Sequence, residues 1–232
     1  MGISRLAVAV NHGAALLALG GIVGSSALSA QQLEEITVTA QLREENIQQV
    51  PLAVTAVSGK TLDEASLKDV VEMMTSVPSL LVGTNQSSST GNFSIRGVGT
   101  GAQNFGLESS VGLYVDGVYR ARQSSIINQL VDVEAVEILR GPQGTLFGRN
   151  TNGGAINITT RAPADEFGAR INLEAGSFNR RNATFAMDVP LTDTLKSKVM
   201  LSSFQNDGFL ESLAVDRSLG DQDDKLLRLD LL

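Results

Sequence analysis

The sequence predicts an α+β chain in two parts: a mixed small sheet with short helices, then antiparallel strands of a transmembrane β-barrel that is incomplete in this chain. Three patterns carry that reading. Residues 1–30 have the form of an export signal. Residues 50–161 string short β-prone runs and one helical stretch between glycine-rich turns. From about residue 168, apolar and polar residues alternate with period two in segments of about ten, with connections alternating short and long, the pattern of an outer-membrane barrel. Alternation alone fits a soluble antiparallel sheet with one wet face as well. The export signal turns the reading toward the barrel.

Composition narrows the function. The chain has 232 residues, a net charge of −7, no cysteine and one histidine, His12, which lies in the leader. A mature chain without His or Cys excludes a Ser-His-Asp triad, a cysteine nucleophile and the common zinc and copper ligand sets. The acidic balance and the lack of a basic run exclude nucleic acid as a partner. No catalytic residue, metal ligand or cofactor is assigned, and the chain is not read as an enzyme.

The leader has Arg5 as its positive region, apolar stretches at Leu6–Val10 and Ala14–Val23, and small residues around Ala27 and Ala30 where cleavage is expected. Residues 31–47 then form a polar tether around one β-prone run, Ile36-Thr37-Val38-Thr39, preceded by Glu34 and Glu35. No neighbouring segment offers this run a hairpin partner. Two outcomes fit it equally: pairing with the edge of another protein's sheet through main-chain hydrogen bonds, or joining this chain's own sheet.

Leu52–Gly59 reads as a strand. Thr61-Leu-Asp-Glu64 reads as a capping box, and Leu62, Ala65, Leu67, Val70, Val71 and Met74 continue at helical spacing until Pro78 stops the helix. Leu80–Val82 is extended. Gly83–Gly112 is loop-rich, with a brief strand at Phe93, Ile95 and Arg96. Gly97–Ala102 matches a loose GxGxxA dinucleotide pattern, with Asp116 at the spacing of a ribose acid. A helix must begin at those glycines for the pattern to bind a pyrophosphate, and the residues that follow lack helical periodicity. The dinucleotide reading is set aside.

Val111–Arg120 reads as a hairpin about Asp116-Gly117. Ser124–Leu130 reads as a helical turn and Val133–Leu139 as a strand. Asp132, Glu134 and Glu137 divide between strand faces, so they are expected to be solvated or to pair with Arg140. Leu139–Arg161 is the most punctuated stretch of the chain. Its glycines supply positive-φ positions and close backbone approaches, Pro142 stiffens the first turn, and Ala155–Thr160 closes it as a strand.

Four segments, in order, resemble the TonB-dependent outer-membrane receptor family. EEITVTA (Glu34–Ala40) resembles a TonB box, and FSIRGVG (Phe93–Gly99) the mid-plug IRG motif. VGLYVDGVYRAR (Val111–Arg122) resembles the plug strand pair, and VEILRGPQGTLFGRNTNGGAINITT (Val136–Thr160) the plug's most characteristic block. The resemblance implies a plug over residues 48–164, a tether over 31–47 with the box at 34–40, and wall strands over 165–232. A barrel of about 22 strands would enclose the plug. It also implies a place in the outer membrane, facing lipid, and uptake of a scarce extracellular ligand such as an iron-siderophore, a glycan or cobalamin. Periplasmic TonB would pair with Glu35, Ile36, Thr37, Val38 and Thr39 and drive that uptake. The plug's structural residues would be Arg96, Gly97, Asp116, Gly117, Arg140, Gly141, Pro142, Gly144, Gly148, Asn150, Gly153 and Gly154.

The resemblance further implies that Ile171, Leu173, Phe185 and Leu227 face lipid while Arg170, Asn172 and Glu174 face the plug, with Gly83–Asn92 and Thr100–Ser110 as candidate ligand contacts. Fewer than about seventy residues follow Pro163, room for four strands. The chain is therefore expected to be a fragment or a truncated product. The competing expectation is a soluble periplasmic plug-like binding or signalling module without transport activity.

Overall fold

A strand buried on both faces, Val133–Arg140, organises the N-terminal domain. Val136 and Ile138 point into one apolar core and Leu139 into a second on the opposite side, as period-two side chains require. The computed structural model describes residues 37–38, 43, 45–84, 91–100, 108–121, 130–211 and 218–232. The leader, Glu35, Ile36 and Thr39 of the expected box, and most of the expected turn at Ser124–Leu130 lie outside the described residues.

In chain order the strands are β1 (Thr37–Val38), β2 (Glu45–Asn46), β3 (Val54–Ser58), β4 (Leu80–Thr84), β5 (Gly91–Ile95), β6 (Val98–Gly99), β7 (Val111–Val115) and β8 (Val118–Tyr119). There follow β9 (Val133–Arg140), β10 (Gly154–Thr160), β11 (Gly168–Gly176), β12 (Arg180–Pro190), β13 (Lys196–Asn206), β14 (Leu210–Glu211), β15 (Ser218–Leu219) and β16 (Gln222–Leu231). Two short helices, α1 (Gly59–Glu64) and α2 (Gly144–Phe147), and a 3-10 turn at Glu72–Thr75 complete the described elements.

The main sheet has the order β3-β9-β10-β7-β8, antiparallel except for the β10/β7 pair, so it is mixed as expected. Ile156 and Ile158 of β10 join Val136 and Ile138 in the larger core, which α1, the 3-10 turn and the three-stranded β4-β5-β6 sheet cover. On the other face Glu137 lies opposite Asn157 in register, and Asn157 Nδ2 donates to Glu137 Oε2 at 3.2 Å, a buried polar pair inside the sheet.

Several local expectations are corrected. The helix does not start at Thr61 or run to Met74. Ser58 caps α1, its hydroxyl accepting from the Thr61 N–H at 3.2 Å, and α1 ends at Glu64. Ser66 then takes a left-handed backbone (φ +54). Leu62, Leu67, Val70, Met73 and Val77 all reach the core from separate short turns, so the apolar spacing holds without one continuous helix. Arg96 is not in a strand. With Gly97 it forms the two-residue turn between β5 and β6, both at positive φ (+53 and +79), as a tight hairpin demands. That hairpin occupies the first glycines of the GxGxxA match. Gly83 and Thr84, expected in a loop to Asn92, instead pair with Asn92 and Gly91; residues 85–90 and residues 101–107 of the expected contact segment Thr100–Ser110 lie outside the described residues. The run at Ile36–Thr39 does have a partner within the chain: Thr37 and Val38 pair antiparallel with Asn46 and Glu45.

The C-terminal part is a four-stranded antiparallel sheet, β11-β12-β13-β16. The short turn expected after Pro190 and the longer segment expected from about Asn206 to Asp223 both appear, but the first connection is short as well, so the lengths do not strictly alternate. Residues 177–179 and 191–195 are short turns, and the connection between β13 and β16, residues 207–221, carries the β14/β15 pair, with residues 212–217 outside the described residues. Period-two alternation divides the sheet. Ala186, Asp188, Lys198, Met200, Ser202 and Phe204 are buried on the face toward the N-terminal domain. Ile171, Leu173, Leu201, Leu227, Leu229 and Leu231 stand on the other face, between 46% and 75% exposed. Phe185 is on that face too, half-buried, opposite Ile171 and Leu201 in register.

Candidate functional site

The candidate site is the seam where the four-stranded sheet meets the domain, together with the β1 strand and the glycine-rich block that frame the domain. Asp132 sits at the centre of the seam. It precedes β9 with a left-handed backbone (φ +52), a conformation that Asp tolerates better than most side chains. The Arg161 N–H donates to its carbonyl at 3.0 Å, fixing the turn from both chain ends of the β9/β10 pair.

The Asp132 carboxylate, 4% exposed, meets cations from three strands of the sheet: Lys198 Nζ at 2.9 Å, Arg228 Nη2 at 3.1 Å and Arg170 Nη2 at 3.3 Å. Arg161 Nη1 stands at 4.0 Å. Asp188, opposite Lys198 in register, takes Arg170 Nη1 at 3.3 Å and lies 3.7 Å from Lys198 Nζ. Lys198 also donates to the Arg161 carbonyl at 2.6 Å, and Arg228 to Asp230 at 2.9 Å. Charges this deeply placed persist only when paired and hydrogen-bonded, and here each cation meets at least one carboxylate. Val131 packs beside them with Ala186, Met200 and Phe204. Next to the cluster a cavity of about 380 Å³ lies between domain and sheet, lined by Asp63, Lys68, Arg161, Arg170, Glu174 and Thr184 among others.

This arrangement corrects the expectation for Asp132 and Arg140. Arg140 forms no ion pair among the described residues. Its Nε donates to Ser79 Oγ at 2.9 Å and its Nη2 to Thr55 Oγ1. A strand rises about 3.3 Å per residue, so Glu134 is about 20 Å along β9, and Glu137 faces the opposite side. Asp132 is drawn to the sheet instead. The sequence held one signal for the seam: Asp188, Lys198 and Arg228 fall on the inward parity of alternating strands. The partners of Asp132 lie on distant strands, beyond the reach of its own segment's pattern.

The other expected residues lie apart from the seam. Val38 is 1% exposed and packs with Val50, Tyr114, Leu139 and Ala155, so β1 rests on the second face of the main sheet. Asp116 and Gly117 form the β7/β8 turn, and the Asp116 carboxylate accepts from the Thr160 N–H at 2.8 Å and its hydroxyl at 3.0 Å. That bond ties the hairpin to the end of β10. Asn150 donates to Tyr119 Oη at 3.0 Å and to Glu108, which also pairs with Arg149 at 3.2 Å. Of the residues singled out in the block, Gly154 is the tightest: a Cβ there would meet the Leu139 carbonyl oxygen and come within 2.8 Å of Ile95 Cδ1. Gly141, Gly148 and Gly153 serve its turns, and Pro142 is exposed in the first of them. Gly144 needs neither positive φ nor space, since it opens α2 with open surroundings.

Burial shifts two titratable groups in the domain. The Asp69 carboxyl is raised above its ordinary value, first by burial and then by the neighbouring Glu72 charge, although its Oδ1 accepts from the Glu72 N–H at 2.7 Å. The Tyr114 phenol is raised by burial and by Tyr119.

Residues 46–155 match the family described as the TonB-dependent receptor plug domain. The chain is 32% identical over 213 residues to the pesticin receptor of Yersinia pestis, an alignment that covers 89% of this chain and 29% of that receptor. It is 28% identical over 209 residues to the iron-regulated outer membrane virulence protein of Vibrio cholerae serotype O1, covering 81% of this chain and 30% of the relative. The crystal structure of the ferric yersiniabactin uptake receptor FyuA from Yersinia pestis superposes with a TM-score of 0.71 at 31% identity, covering 78% of this chain and 28% of that one. The chain thus spans less than a third of the length of these relatives.

Proposed function

We infer that this chain, which belongs to the TonB-dependent receptor family, supplies the plug and four wall strands of an outer-membrane receptor that imports a scarce extracellular ligand. The family is one of receptors and transporters, not enzymes. The plug occupies about residues 48–164 and the wall strands residues 165–232. One observation carries the reading: a single sheet presents a charged face to the plug and a leucine-rich face to its surroundings. A wall strand between a polar lumen and lipid has this division. A soluble periplasmic module would leave Leu173, Leu229 and Leu231 in water, which disfavours that alternative.

A relative described as a ferric yersiniabactin uptake receptor and another described as iron-regulated support an iron-siderophore as the ligand class. Energy enters through TonB, which takes the strand Glu35–Thr39 as an added β-strand. Val38 is held on the plug in the structure, so this strand must leave its β2 partner to be taken.

Proline tests the box because it removes a ladder donor. In the receptor that carries this chain, Ile36→Pro and Val38→Pro should each abolish cross-linking to TonB and uptake of a radiolabelled ferric siderophore. Undiminished cross-linking in both variants sinks the box assignment.

A further inference from the structure

We propose that Asp132 is the positioning residue that seals the plug against the barrel wall beside the cavity at the seam. The proposal rests on the importer reading and adds to it which contact keeps this side of the plug closed.

Three observations converge on Asp132. It is the one carboxylate among the described residues that ties three wall strands to the plug, through Arg170 of β11, Lys198 of β13 and Arg228 of β16. It belongs to the plug side of the seam, directly before the central strand β9, and the Arg161 N–H bond to its carbonyl fixes it to the segment that leads from β10 to the wall. The cavity beside it, about 380 Å³, is lined by Asp63, Lys68, Arg161, Arg170 and Glu174, a lining that water can occupy.

A polar cleft of this kind conducts ions once the wall draws back from the plug. Among the described residues, the buried apolar cluster in the seam is small: Val131 against Ala186, Met200 and Phe204. The cations around Asp132 therefore set how firmly the cleft is shut. Without the Asp132 charge, Lys198 keeps only the Asp188 carboxylate at 3.7 Å and the Arg161 carbonyl, and Arg228 keeps Asp230 and a 3.4 Å bond to the Val131 carbonyl. What still bridges plug and wall is then weaker: the long Arg228 bond to the neutral Val131 carbonyl beside β9, and the Lys68–Glu174 pair at 3.7 Å.

The test uses the full receptor reconstituted in planar bilayers without TonB, reading potassium chloride conductance per inserted molecule. Asp132→Asn keeps the shape and removes the charge. It should raise conductance on the order of ten-fold, the population shift that losing a charge-assisted contact produces. Arg228→Gln, which acts from the wall side, should raise it in the same direction and stands in if Asp132→Asn does not insert. Asp165→Asn breaks an exposed pair with Lys196 on the same wall and should conduct as the parent does. Parent-like conductance in inserted Asp132→Asn and Arg228→Gln overturns the seal, as does an equal leak from Asp165→Asn. TonB-dependent uptake of a ferric siderophore by the parent, measured in parallel, separates the two readings. A parent that does not import defeats the importer reading and the seal with it, whereas a tight Asp132→Asn in an importing receptor defeats the seal alone.

Discussion

Lys198 holds its ammonium 2.9 Å from the Asp132 carboxylate, with none of its side chain exposed to solvent. A lysine of that burial is tolerated because it also donates to the Arg161 carbonyl at 2.6 Å and lies near Asp188. The pair thus joins strand β13 to the plug through a desolvated charge, so its removal is costly even where other partners remain. Lys198→Met keeps the side-chain volume and deletes the charge, leaving Asp132 and Asp188 with arginines only. The expected loss is about 3 kcal/mol, the lower end for breaking a buried pair. Urea unfolding of the chain in detergent, followed by the protease resistance of the plug–wall seam, measures it. A change within 0.5 kcal/mol, the scatter of surface substitutions, would contradict a structural role for this pair.

The glycine block makes a second, sharper prediction because it separates two residues that look alike in the sequence. Gly154 opens β10 at φ +148, and a Cβ there would run into the Leu139 carbonyl oxygen of the adjacent strand. Gly144 opens α2 with nothing within 4 Å of a built Cβ. Gly154→Ala should therefore cost about 3 kcal/mol or prevent folding, through backbone strain and a displaced β9/β10 register. Gly144→Ala should be neutral or stabilising by about 0.5 kcal/mol, since Ala is the better helix former. Limited proteolysis of the two variants side by side decides it: equal sensitivity would mean that the close approach at Gly154 does not constrain the fold.

The contrast between those glycines shows what the sequence could and could not convey. Local chemistry was readable wherever it was self-contained. The Asp116-Gly117 hairpin, the Ala155–Thr160 strand and the four alternating strands all appear where their patterns put them. Relations between distant segments were not readable. Val38 pairs with Glu45 only because the tether folds back on itself. Leu62 to Met74 satisfies a helical spacing, yet Ser66 breaks the run and the core takes those side chains from separate turns. Asp132 meets Lys198 and Arg228 across 66 and 96 residues, a distance that no window of periodicity spans.

Asp69 supplies a pH-dependent prediction. Burial first, and then the Glu72 charge, raises its carboxyl above the ordinary 3.8, while the Glu72 N–H bond to Oδ1 opposes the shift only in part. The folded chain therefore binds this proton more tightly than the unfolded chain does. By linkage, stability falls as pH rises from the unfolded value through the raised folded one, and the penalty is complete above it. Asp69→Asn retains an oxygen to accept from the Glu72 N–H and removes the charge. The variant should have a higher urea midpoint than the parent at pH 7 and lose that advantage at pH 3, where Asp69 is protonated in both states. Midpoints measured at the two pH values in the same detergent test this. A variant less stable than the parent at pH 7 would show that the Glu72 hydrogen bond outweighs the burial of the charge.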